Sequence, residues 1–235
     1  MSMVLLGGVI AAVIAAVSFS PTLRFGLISI HQWVSETERD TIVSTPGRWR
    51  IGAAVLSLAL WAVLVYQRDV TDNVAAIIAV AAACGLMASL LLALSKTDLS
   101  CRLLPDSLTL SLLISGLLFH GFSSDTALIT SVIGALVGYL ALWGFAALYE
   151  RVRGQAGMGR GDFAMFAGLG AWLGWPSLPM VLVTACIIGI LIGLTRRARL
   201  IRTGETLSEK TLMEQQIAFG PALALAGLIG WVGLV

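Results

Sequence analysis

The sequence predicts an all-α fold: a polytopic membrane helix bundle of about eight transmembrane helices, with its N-terminus outside the cytoplasm. Three observations predict it. Of the 235 residues, 58% are hydrophobic and only 12% are charged, too little polar surface for a soluble domain of this length. Apolar runs of spanning length recur along the whole chain. The basic residues are sorted between those runs rather than scattered, although the formal net charge is only +2.

A spanning helix needs about 20 predominantly apolar residues. Eight runs qualify: 3–19, 51–66, 74–94, 108–122, 127–148, 163–175, 178–194 and 217–235. The first has no Lys or Arg before it and reads as a retained membrane helix rather than a cleaved signal peptide. The sixth is short, which predicts a tilted helix, a start before Asp162, or an embedded segment that stops short of crossing. Lipid offers no partner to backbone N–H and C=O groups, so each span satisfies its own as a helix. The short alternating segments of a β-barrel are not seen.

If the N-terminus faces outward, the odd-numbered connections are cytoplasmic. They then hold every Lys and Arg except Arg68: Arg24, Arg39, Arg48 and Arg50; Lys96 and Arg102; Arg151, Arg153 and Arg160; and Arg196, Arg197, Arg199, Arg202 and Lys210. This is the positive-inside pattern, and it supports the eight-helix parity independently of hydropathy. The connection 20–50 is the longest. With Phe25, Leu27, Ile28, Ile30, Trp33 and Val34 ahead of Glu36, Glu38 and Asp40, it predicts a cytoplasmic loop lying partly in the interface as an amphipathic helix. Gly134 with Gly138, and Gly189 with Gly193, are small-x-x-x-small pairs that let helices approach closely. Cys84, Cys101 and Cys186 form no C-x-x-C pair and read as small apolar fillers, not a zinc site. No basic domain or aromatic-and-basic interleaving points to nucleic acid. The chain divides into N-terminal membrane helices with their cytoplasmic loop, 1–97, and a catalytic membrane core, 98–235.

The chemistry is carried by two acids. Asp98 closes one apolar run and opens Asp98-Leu99-Ser100-Cys101-Arg102-Leu103-Leu104-Pro105-Asp106. Asp162 ends Gly157-Met158-Gly159-Arg160-Gly161-Asp162 and opens another run. The parity puts both at the same face, and carboxylates that persist beside lipid are costly and usually functional. Each also has a plainer reading. Asp162 is an N-cap, Asp98 is a solvated acid beside Lys96, and Asp106 after Pro105 is the N-cap of the helix from Leu108. Gly157, Gly159 and Gly161 weaken the plain reading of Asp162, since a simple cap needs none of them. Glycines there predict unusual backbone angles or close approach of another segment. Two carboxyls in contact cannot readily both ionise, so they share one proton. One can then draw a proton from water while the other donates to a carbonyl oxygen, without metal or cofactor. Helix ends suggest roles: Asp162, at a helix N-terminus, as the ionised base and Asp98, at a C-terminus, as the acid. Other chemistries fare worse. His31 and His120 fall on opposite sides by parity, no G-x-S-x-G elbow occurs, and no glycine loop ends in Lys-Ser or Lys-Thr.

These residues resemble the type IV prepilin peptidases. Leu103-Leu104-Pro105-Asp106-Ser107-Leu108-Thr109-Leu110 with Gly116-Leu117-Leu118-Phe119 is similar to the family's first signature. Gly157 to Phe163, with Ala167-Gly168-Leu169-Gly170-Ala171-Trp172-Leu173-Gly174-Trp175, is similar to the second. Ala218-Phe219-Gly220-Pro221-Ala222-Leu223-Ala224-Leu225 is similar to the closing segment. The resemblance covers roughly 98–225. It implies a G-x-G-D intramembrane aspartyl endopeptidase of the bacterial cytoplasmic (inner) membrane. The catalytic aspartates map onto Asp98 and Asp162, with Pro105, Asp106, Gly157, Gly159 and Gly161 as supporting motif residues. The implied substrates are prepilins or pseudopilins with a basic leader and a hydrophobic helix, cut after a glycine at the cytoplasmic edge, in contact with membrane lipid. The chain departs from the pattern in three places. The loop 20–50 lacks the two C-x-x-C pairs of longer members, so this is a short form without the zinc loop. With that loop reduced, N-methylation with S-adenosylmethionine is not expected. Ala164 stands where members often carry Lys, and Gln155-Ala156 where an acid is common.

Two other functions fit parts of the pattern. A proton-coupled transporter would use intramembrane carboxylates, but both acids lie at one face and no internal repeat is visible. A catalytically lapsed assembly factor of a pilus or type II secretion system would account for Ala164 and the reduced loop.

Overall fold

A computed structural model describes residues 2–29, 49, 51–58, 74–122, 124–154, 157–203 and 219–234. All secondary structure among these residues is helical. In chain order the helices are α1 (Ser2–Ser29), a helical stretch at 51–58, α2 (Val74–Cys101), α3 (Asp106–Gly121), α4 (Asp125–Arg153) and α5 (Arg160–Leu173). A 3₁₀ turn (Trp175–Ser177), α6 (Leu178–Thr203) and α7 (Gly220–Leu234) follow. Among the described residues, three helical segments are long and apolar enough to cross a membrane: Ile77–Cys101, Asp125–Arg153 and Trp175–Thr195.

Helix ends differ from the hydropathy reading where polar residues can satisfy themselves. α1 continues past Phe19 and through Pro21 to Ser29, so residues 20–29 are helix rather than loop. Ser18 and Thr22 fold their hydroxyls back onto the carbonyls of Ile14 and Ser18, each at 2.6 Å. α2 likewise runs beyond Leu94 to Cys101. Ser95 and Thr97 donate to the carbonyls of Leu91 and Ala93 at 2.8 and 3.1 Å, so these polar residues stay buried without ending the helix. The predicted interfacial helix beyond residue 29, with His31, and the second run beyond residue 58 lie outside the described residues.

α5 is the centre of the bundle. It is buried from Asp162 to Leu173 except at half-buried Ala164. With 14 residues at about 1.5 Å each it is roughly 21 Å long, shorter than the ~30 Å hydrocarbon core. Of the three predicted possibilities for the short sixth run, the early start is what occurs: the helix begins at Arg160, before Asp162. Glycines bring the neighbours in. A methyl group on Gly116 would meet the Trp172 ring at 2.7 Å, which seats α3 on α5. Gly134 and Gly170 face each other so closely that a methyl on either would collide with the other's carbonyl oxygen, and Gly138 lies over the Phe166 carbonyl. The pair Gly134–Gly138 therefore packs α4 against α5 by backbone contact, the geometry that small residues permit. Gly189 makes only ordinary contact with Phe219.

The far end of α5 is locked by aromatic rings. Trp172 stacks on Phe119 at 5.4 Å and meets Trp231 edge-on at 5.5 Å. Its indole N–H donates to the Leu112 carbonyl of α3 at 2.9 Å. Gly174 then turns the chain with φ +73°, a conformation that favours glycine.

Candidate active site

Asp98 lies in the last turn of α2 and Asp162 in the first turn of α5. Contacts between motifs bring these two helix ends to one end of the bundle. A methyl on Gly161 would sit 2.6 Å from Leu104 Cβ, so the connection after α2 lies directly on the start of α5. The chain passes that connection with Arg102 at φ 53°, its N–H donating to the Asp98 carbonyl at 2.9 Å.

Asp98 is buried, 6% exposed, rather than solvated as its plainer reading expects. Its Oδ2 accepts a hydrogen bond from the backbone N–H of Gly220 at 2.7 Å. Gly220 is the first residue of α7, so an N–H without an intrahelical acceptor finds a carboxylate there. Lys96, two residues back, is 3% exposed and lies over the Trp49 ring at 6.0 Å. Trp49 in turn stacks against Phe19 of α1.

Asp162 is also buried, at 9% exposure. It is not the N-cap of α5. Gly159 holds that position, which puts Asp162 third in the helix with its backbone N–H on the Gly159 carbonyl at 3.1 Å. Nor does the helix N-terminus leave the carboxyl readily ionised, as its place at a helix end suggests. Burial, and then the charge of Asp98, push it up to about 7, against a weaker pull from hydrogen bonding to the Gly159 backbone. Removal from water outweighs the partial charge of one helix end. The same interaction shows that Asp98 and Asp162 act on each other electrostatically.

Asp162 is recessed. Gly134 opposes Gly170 and Gly138 opposes Phe166, so the antiparallel register sets Asp162 level with Leu142 of α4. α4 continues to Arg153, about 16 Å further at the helical rise. The chain turns at Gly154 (φ 70°) and descends. Gly157 passes so close to Tyr149 that a methyl would meet the ring at 2.6 Å.

The supporting residues take distinct places. Gly157 and Gly161 are there for close approach, not for unusual angles: neither has a positive φ. Gly159 has room, since a methyl group added there would lie 3.6 Å from Asp162 Oδ2, an ordinary contact. Pro105, not Asp106, is the N-cap of α3, its carbonyl accepting from Leu108 and Thr109 at 3.0 and 3.2 Å. Asp106 is the first helical residue and is exposed. His120 lies at the opposite end of α3, with Nδ1 3.1 Å from the Gly116 carbonyl oxygen. Among the described residues no group of three or more His, Cys, Asp or Glu could hold a metal ion. Gly220 is the member of the site that sequence reasoning misses. In the sequence it is a Gly-Pro step inside the segment 218–225 that is similar to the family's closing segment, and neither signal reveals an acceptor 122 positions away.

Comparison with known proteins finds relatives of the chain. Residues 85–194 match the type IV leader peptidase family. A prepilin leader peptidase/N-methyltransferase from Aeromonas hydrophila is 40% identical over 168 residues, covering 69% of this chain and 54% of the relative. One from Pectobacterium carotovorum subsp. carotovorum is 39% identical over 147 residues, 63% of this chain and 50% of the relative. One from Stutzerimonas stutzeri is 41% identical over 145 residues, 62% and 46%. The chain thus spans about half the length of the curated relatives it matches. No solved structure matches it significantly. Across residues 85–194, which include both aspartates and the glycine-rich turn before Asp162, this chain belongs to the type IV leader peptidase family.

Proposed function

We propose that this protein is an aspartic endopeptidase that removes the leader peptide of prepilins or pseudopilins, with Asp98 and Asp162 as its catalytic pair. The observation that carries this reading is the burial of two carboxyls, remote in sequence, at one end of the bundle, where the charge of one raises the other. Two such groups titrate as a coupled unit with one proton between them. We assign the proton to Asp162 and the charge to Asp98, whose Oδ2 is met by the Gly220 N–H. Asp98 draws a proton from water as the water attacks the peptide carbonyl, and Asp162 donates to the carbonyl oxygen. Metal and cofactor have no step in this scheme, and N-methylation is not part of it.

The reading extends to topology. The chain lies in the bacterial inner membrane with about eight membrane-embedded segments, its N-terminus on the side away from the cytoplasm. The aspartate end is cytoplasmic, as the sorting of Lys and Arg favours. A substrate with a basic leader and a hydrophobic helix would present the bond after a glycine at that edge. Unwinding a helix end costs less near water than at the bilayer centre. The test is incubation of the detergent-solubilised protein with a prepilin, followed by mass measurement of the product. A product cut after the glycine by the parent protein, and none from Asp98→Ala or Asp162→Ala that insert normally, is expected. Cleavage by either variant at the parent rate refutes the pair.

A further inference from the structure

We infer that Gly220 is a positioning residue for this reaction: its backbone N–H fixes the carboxylate of Asp98, and its lack of a side chain is what lets that carboxylate stay in place. The inference rests on the reading of Asp98 as the base, and three observations carry it. The Gly220 N–H donates to Asp98 Oδ2 at 2.7 Å in a buried setting. A methyl group on Gly220 would lie 2.7 Å from that same oxygen and 3.1 Å from both Cβ and Cγ of Asp98. The next residue, Pro221, has no N–H, so it cannot stand in for the donor. The first free N–H of α7 is therefore the group aimed at Asp98, while Leu223, in the same turn, is satisfied by the Phe219 carbonyl at 3.0 Å.

The consequence is geometric. A carboxyl can take up any of several staggered side-chain rotamers. Holding Oδ2 fixes one of them and leaves Oδ1 as the oxygen that draws a proton from water. α7 then belongs to the site although it supplies no catalytic side chain. A hydrogen bond to a charged group is worth more than a neutral one, and misplacing a catalytic group is expensive in rate rather than in binding.

The test compares two glycines of α7. In Gly220→Ala the atom that must yield is the Asp98 carboxylate; in Gly227→Ala it is the end of the Leu169 side chain, far from the acids. Each variant and the parent are assayed for prepilin cleavage across substrate concentration, with thermal midpoints taken in the same detergent. Gly220→Ala is expected to lower kcat at least about tenfold with KM within about twofold and little change in midpoint. Gly227→Ala is expected to lower the midpoint while the folded protein keeps its kcat. Replacement of residue 220 by glycolic acid, which deletes the N–H and adds no side chain, is expected to lower kcat in the same way and decides the matter should Gly220→Ala fail to insert. An unchanged kcat in that ester overturns the role of Gly220 while leaving the peptidase reading intact. A parent protein that cuts no prepilin overturns the reading beneath it.

Discussion

The two ends of α5 are built from opposite materials. At its start, Asp162 enters behind three glycines, is capped by a residue with no side chain, and lies under the electrostatic influence of a second buried acid. At its finish, Trp172 is wedged between Phe119 and Trp231 and tied by its indole N–H to α3. The first end buries two carboxyls that would rather be in water; the second buries mainly aromatic surface, with the Trp172 donor satisfied and the Trp231 indole N–H left without an acceptor. The contrast shows how a short helix can hold a carboxyl in a fixed place. Its far end is anchored by interlocked rings, and its middle by the backbone contact of Gly134 with Gly170. The cost of placing Asp162 is offset away from Asp162.

This division predicts that changes at one end alter chemistry and changes at the other alter stability. The largest effect is expected for Asp98→Asn or Asp162→Asn, which should lower prepilin cleavage by about 10²–10⁴-fold with an unchanged thermal midpoint. A fall in midpoint that matched the loss of activity would blur the division. Trp172→Ala should do the reverse, costing about 3–5 kcal/mol of stability in reversible detergent unfolding while the folded fraction cleaves at the parent kcat. Gly170→Ala, which forces α4 and α5 apart, should cost about 1–3 kcal/mol and lower kcat as well, because the contact sets the depth of Asp162. The mildest effect is that of pH. Asp162 holds its proton below about 7 and is needed as the acid. Cleavage by the parent should therefore fall as pH rises through that value, toward about tenfold per unit, and fall again at lower pH where Asp98, the base, takes up a proton. A rate that climbed steadily from about pH 6 to about pH 9 would assign the proton elsewhere.

Much of this organisation is legible in the chain, and the gaps have physical causes. Hydropathy locates the helical segments that the structure describes because lipid and protein interiors select the same residues. It misplaces their ends at residues 20–29 and 95–101 because Ser18, Thr22, Ser95 and Thr97 hide their hydroxyls on their own helix. The helix also carries on through Pro21. The acids Asp98 and Asp162 stand out in sequence because a carboxylate beside apolar runs is conspicuous. Their surroundings do not. Whether Gly157 and Gly161 serve torsion or proximity depends on Tyr149 and Leu104, and sequence alone does not show that either side chain is there. Assigning the roles of the two acids from helix ends relies on a local field and misses burial, a property of the whole bundle. Gly220 is invisible for the same reason: its partner arrives by tertiary packing.

The central claim is that the two carboxyls meet. Its most direct test is cross-linking in membranes, by a short bifunctional thiol reagent, of Asp98→Cys combined with Asp162→Cys, with Cys84, Cys101 and Cys186 replaced by Ala. The pair Leu112→Cys with Gly168→Cys, whose β-carbons would lie 3.3 Å apart, serves as the positive control. The account predicts that the reagent joins the aspartate-position pair, while the control closes by oxidation alone. A control that closes while the pair at 98 and 162 is left unjoined by the reagent would contradict it.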